Sequence, residues 1–233
     1  MIGRNCMGGW IAFWLLAFVF PSCAQQSKNV AHQEVSLTHQ EKHRPQYHFT
    51  PKAMWMNDPN GMVYYQGEYH LFYQHYPDST VWGPMHWGHA ISKDLVHWEY
   101  FPIALYPDSL GYIFSGSVVV DWDNTTGFGS ADSPPLVAIF THRHLDGKER
   151  GFESQSLAYS IDKGRSWVKY KGNPVLVDEN SLGFRDPKVF WHEETKKWVM
   201  VISAEDQVKL YSSVDLIDWA LESEFGRNLG AHG

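Results

Sequence analysis

Three times along the chain, a short alternating run ends in a Ser-x-Asp turn that leads to a tryptophan. Ser92-Lys93-Asp94 leads to Trp98, Ser160-Ile161-Asp162 to Trp167, and Ser213-Val214-Asp215 to Trp219. The runs before them occupy residues 87–91, 156–159 and 208–211. Period-two alternation closed by Asp or Gly turns predicts antiparallel strands and hairpins. Residues 62–65 and 69–73 flank Gln66-Gly67-Glu68, and residues 188–191 and 198–202 flank a charged turn over 192–197. Residues 136–141 form another strong strand, and no segment after the first 24 residues has helical periodicity. A small-sheet unit repeated at this spacing predicts an all-β chain built as a β-propeller. About three blades fit, over residues 55–105, 112–172 and 183–230. Rings close with four to eight blades, so the sequence reads as a propeller truncated about three blades in.

The first 24 residues read as an export leader. Arg4 supplies the positive charge, and Trp10 begins an apolar run to Phe20 that is short for a membrane-spanning helix. Two cuts are open. Cleavage after Ala24 gives a soluble exported protein, whereas cleavage before Cys23 leaves a cysteine for lipid attachment and so for membrane anchoring. Residues 25–43 are polar and uneven, and read as a flexible spacer. The two cysteines, Cys6 and Cys23, both lie in the leader, so residues 44–233 must hold together without disulfides. A net charge of −7 with no Lys/Arg block argues against nucleic acid as a partner. Aromatics make up 15% of the chain, 11 of them tryptophan. Most such rings fill a core, and a few are free to stack on sugars.

The most specific string is Trp55-Met56-Asn57-Asp58-Pro59-Asn60-Gly61. Pro59 fixes its own φ and pushes Asp58 toward extended geometry. Gly61 frees the backbone after a tight turn. One carboxylate is thereby held at a strand mouth between amide donors, close to an indole. Sugars present hydroxyls at their edges and apolar faces, so this combination suits them. Asp-Pro alone is an ordinary strand-capping turn, and the specificity lies in the whole string.

With Phe72-Tyr73-Gln74, Trp82-Gly83, the run from Trp87-Gly88-His89-Ala90 to Trp98, Phe114-Ser115-Gly116-Ser117 and Phe184-Arg185-Asp186-Pro187-Lys188-Val189-Phe190, the string resembles glycoside hydrolase family 32. These are the β-fructosidases: invertases, inulinases and levanases. The matches run in order over residues 44–219. The resemblance implies a five-bladed β-propeller followed by a C-terminal β-sandwich, the latter missing from these 233 residues. It implies Asp58 as nucleophile and Asp186 as a residue that binds fructosyl hydroxyls and stabilises an oxocarbenium-like transition state. Retention sets nucleophile and acid about 5 Å apart. Asn57, Gln74 and Ser115 would bond sugar hydroxyls, and Trp82 and Phe114 would shape an apolar wall. Taken singly, Gln74 and Ser115 fit a strand surface or blade turn equally well, and Trp55 fits either wall or core. Arg185 can pair with a carboxylate or with sugar oxygens. No cofactor or metal enters this reading.

The family's general acid is a glutamate followed directly by cysteine, and no Glu-Cys pair occurs here. Glu205, beside Asp206, reads as a blade-edge turn, and neither it nor Glu222 is assigned. The acid is expected beyond residue 233, which would leave these residues alone inactive. The function expected is retaining hydrolysis of β-fructosyl linkages in levan, inulin or sucrose, by an exported or surface-anchored enzyme. A fructosyltransferase on the same scaffold and a non-catalytic sugar-binding propeller are the alternatives. His86 and His89 point to opposite strand faces and are not expected to converge on a metal. Asn124-Thr125-Thr126 fits a glycosylation acceptor, idle behind a bacterial-type leader.

Overall fold

The computed structural model describes residues 41–130, 132–144, 152–181, 183–227 and 229. The expected leader, Cys6 and Cys23, and residues 25–40 of the expected spacer lie outside them. All the described secondary structure is β. The first sheet holds β1 (Trp55–Tyr65), β2 (Glu68–Tyr76), β3 (His86–Ser92) and β4 (Trp98–Leu105). The second holds β5 (Tyr112–Val120), β6 (Leu136–Arg143) and β7 (Glu153–Ser160), with two short pieces, β8 (Val168–Lys169) and β9 (Leu176–Val177), on its outer edge. The third holds β10 (Phe184–His192), β11 (Lys197–Ala204), β12 (Gln207–Ser213) and β13 (Ala220–Phe225). Every neighbouring pair is antiparallel. β1 packs on β5, and β5 on β10, so the first strand of each sheet is the inner one. These sheets are consecutive blades of an open, partial propeller.

Local chemistry explains the strand ends. Gln66 and Gly67 both have positive φ, 48° and 88°, the combination of a type I′ hairpin turn between β1 and β2. The three Ser-x-Asp turns are one device. In each, the serine Oγ donates to the aspartate Oδ1, at 3.1, 2.7 and 3.1 Å. The aspartates then accept backbone N–H groups further on, from His97, Ser166 and Asp218. Each turn contains a left-handed residue, Leu95, Lys163 or Leu216, and two of the tryptophans that follow bond back into it. This turn caps the third strand of every blade.

Two cores lie between the three sheets. Between the first and second, Tyr65, Phe72, Trp87, Ile113, Leu136 and Phe140 are buried. Between the second and third, Val137, Ile139, Leu157, Phe184, Met200 and Ile202 are buried. β6 feeds both, its residues alternating between them. Trp87 is fully buried, and its indole N–H donates to Phe114 O at 2.9 Å, so the ring both fills the core and ties β3 to β5.

His86 and His89 follow separate partners, as alternation predicts. His86 Nδ1 bonds Pro84 O at 2.8 Å, and His89 Nε2 meets His70 Nδ1 at 3.1 Å in the core. The Asn124 amide bonds Gly129 through both of its side-chain atoms and so closes a loop.

Candidate functional site

The Asp-Pro corners differ from the turns expected at strand mouths, because each lies inside an inner strand as a bulge. One residue is inserted in β1 between Met56 and Pro59, whose partners are His75 and Tyr73. One is inserted in β10 between Arg185 and Lys188, whose partners are Ser203 and Val201. β5 does the same between Ile113 and Gly116, opposite His142 and Phe140. The residues left out of the ladder are Asn57 and Asp58, Phe114 and Ser115, and Asp186 and Pro187. Bulges re-aim side chains. A proline, which has no N–H to donate, fits beside one.

Five of those six residues, all but Pro187, line a single cavity of about 420 Å³. Gln74 from β2, Trp55 from β1 and Arg185 from β10 line it too, as does Trp82 from the β2–β3 connection. All the sequence-predicted catalytic and sugar-binding residues therefore meet, although Asp58 and Asp186 belong to different sheets. A second cavity of about 390 Å³ runs on between the inner strands and shares Asp58, Ser115 and Asp186.

Each side chain has an identifiable support. Ser115 Oγ donates to Asp58 Oδ2 at 3.1 Å, linking the bulges of β5 and β1. Asp186 holds a left-handed φ of 60°, and its N–H donates to Thr141 Oγ1 at 3.2 Å. Thr141 in turn donates to Gln155, whose amide donates to Phe184 O, so a buried chain of bonds pins the start of β10 to the middle sheet. Ser117 Oγ donates to Pro187 O at 2.7 Å and accepts from Val189 N at 3.2 Å, fastening β5 to β10 below the site. His75 Nδ1 bonds Trp55 O at 2.9 Å and fixes the entry to β1. Trp82 is 57% exposed and meets Tyr112 edge-on, so much of the indole is free beside the cavity. Gly61 has φ 57°, and a Cβ there would stand 2.7 Å from the Phe72 ring. The glycine therefore lets β1 turn at a second break in its register, between Asn60 and Val63.

Two lining residues had no place in the sequence reading: Met85, which is buried, and Arg143. Arg143 Nη1 donates to Glu153 Oε1 at 3.0 Å, and Arg185 Nε stands 3.6 Å from Glu153 Oε2, an ion pair without a hydrogen bond. Arg143 and Glu153 are directly opposed on β6 and β7. Opposite charges at mirrored positions of that hairpin are the available signal, and they lie just outside the runs 136–141 and 156–159. Neither Glu205, in the turn between β11 and β12, nor Glu222, on outer strand β13, lines this cavity. The arrangement offers two carboxylates, amide and hydroxyl donors, and aromatic walls, which is the equipment for gripping a sugar ring and attacking it.

Comparison with known proteins supplies independent findings. The model of the glycosyl hydrolases family 32 N-terminal domain matches residues 48–232. A levanase of Bacillus subtilis (strain 168) is 60% identical over 198 residues, covering 85% of this chain and 28% of that protein. An extracellular exo-inulinase of Aspergillus awamori is 44% identical over 213 residues, covering 82% and 40%. A solved structure, a β-fructofuranosidase of Schwanniomyces occidentalis complexed with fructosyl-erythritol, superposes with a TM-score of 0.73 at 43% identity. That match covers 78% of this chain and 36% of the other. The chain thus spans less than half the length of these relatives.

Proposed function

The chain belongs to glycosyl hydrolase family 32, and from that premise we propose that it is the catalytic-site portion of a retaining β-fructosidase. The substrates are fructans such as levan or inulin, or sucrose. The observation that carries this is the convergence of Asp58 and Asp186, from β1 and β10, on one cavity lined by amide donors and aromatic rings. Asp58 is the nucleophile. It attacks the anomeric carbon, and the hydrogen bond that the Ser115 hydroxyl donates to it fixes its orientation. Asp186 binds fructosyl hydroxyls and stabilises the oxocarbenium-like centre. Gln74 and Asn57 bond hydroxyls, while Trp55, Trp82 and Phe114 form the walls. Arg185 reaches sugar oxygens from the Glu153 pair.

The protein works outside the cytoplasm, in keeping with its similarity to the extracellular exo-inulinase of Aspergillus awamori, and its leader is cut either after Ala24, which frees it, or before Cys23, which leaves that cysteine for a lipid anchor. Asp58→Asn in the full-length gene product is expected to abolish release of fructose while the thermal midpoint stays near wild type. Fructose release near the wild-type rate would refute the assignment.

A further inference from the structure

Two guanidinium groups reach the cavity, and one buried carboxylate stands behind both. The Glu153 side chain is 2% exposed, against 22% for Arg143 and 38% for Arg185. A carboxylate this deep is unfavourable to desolvate and is tolerated when it is paired. Here the pairing spans two blades, because Arg143 and Glu153 sit across from each other in the middle sheet while Arg185 comes from the inner strand of the third.

We propose that Glu153 is the positioning residue of this cavity. It aims Arg143 and Arg185 as donors to sugar hydroxyls, and it cancels charge that two cations would otherwise bring to a reaction centre that becomes positive. The inference rests on the β-fructosidase reading, in which an oxocarbenium-like centre develops between Asp58 and Asp186. Uncompensated guanidinium charge raises the energy of that centre more than that of the neutral substrate. Glu153 therefore acts mainly on the transition state. Arg143 faces the neutral sugar as well, its guanidinium 5.8 Å from the centre of the Phe114 ring. Its contribution is made to the bound substrate and the transition state alike, so it governs KM.

The test is a double-mutant cycle in the full-length gene product. Glu153→Gln is expected to lower kcat roughly tenfold, with KM moving less. Adding Arg143→Gln removes one of the two cations that Glu153 had balanced and brings kcat partly back, with KM raised. A merely structural role for Glu153 gives two losses that multiply instead. That result, or wild-type kcat in folded Glu153→Gln, overturns the proposal. If Glu153→Gln does not fold, Arg143→Gln alone decides, since its side chain is partly exposed. A severalfold rise in KM at near-constant kcat supports the proposal, and an unchanged KM overturns it. Asp58→Asn is run alongside. Activity in that variant sinks the β-fructosidase reading itself, whereas its inactivity beside an unaffected Glu153→Gln sinks this inference alone.

Discussion

Gln74 is 4% exposed and lines the cavity, and its Nε2 has no hydrogen-bond partner among the described residues. A buried amide N–H left unpaired is destabilising by about 1–3 kcal/mol. Such a group is retained where a ligand brings the acceptor. Gln74→Leu is therefore expected to hold or raise the thermal midpoint while increasing KM for a fructosyl substrate about tenfold, roughly one hydrogen bond's worth. Steady-state kinetics beside a melting curve checks both halves. Gln74, like Asn57, Asp58, Ser115 and Asp186, was legible because it stands inside a dense local string of unusual residues. Arg143 and Glu153 were not. They carry no motif, and their meaning comes from a cross-strand pairing that only the β6–β7 register creates. Glu153 stands behind the cavity lining rather than in it, so no rule that looks for site residues would have selected it.

Strand-level behaviour is where the sequence and the structure part most clearly. Alternation located the strands, and the Ser-x-Asp repeat located the blade corners, since both are written in local composition. The bulges were invisible. An inserted residue is defined by what the partner strand lacks, and Asp-Pro reads the same at a strand end as in its middle. Ser117 illustrates the coupling that results, bonding Pro187 O and Val189 N from the next blade. Ser117→Ala strands both groups in a buried seam and is expected to destabilise the protein by about 1–3 kcal/mol. Faster hydrogen exchange at the Val189 amide is the specific readout, and unchanged protection there would contradict the role.

The His70–His89 pair makes a second strand-level prediction. Burial, first of all, holds the two rings down at about 4 and about 3, against about 6.5 when unfolded. The unfolded chain therefore binds more protons between these values. The contribution of these rings is complete above about pH 6.5 and is lost as pH falls from there toward about 3. The urea midpoint is expected to be lower at pH 5 than at pH 7.5. Equal midpoints would mean that the rings are not buried neutral.

Across the whole molecule, the three sheets share their cohesion through the middle one. Ile139 and Phe140 are neighbours in β6, yet each enters a different core. Phe140→Ala is expected to cost about 3–5 kcal/mol and to lower the unfolding of the first and second blades together, in one transition followed by tryptophan fluorescence. Two separated transitions would show that the blades melt independently. The propeller class was legible because repetition is a global signal that survives in a single sequence. How the blades face each other was not, because face-to-face packing leaves only apolar letters that would fit many partners.

The three inserted residues in β1, β5 and β10 have an implication for how such a pocket is inherited and altered. Side chains on a strand switch faces with every residue, so the pocket is written in chain length as much as in residue type. Excising a single amino acid beside any of these three places, with the cavity-lining side chains retained, would swing the local acid, hydroxyl or ring away from the shared hollow. Deletions there should thus silence the protein as surely as replacing Asp58, while insertions of like length offer a route to recast the hollow for a differently shaped sugar.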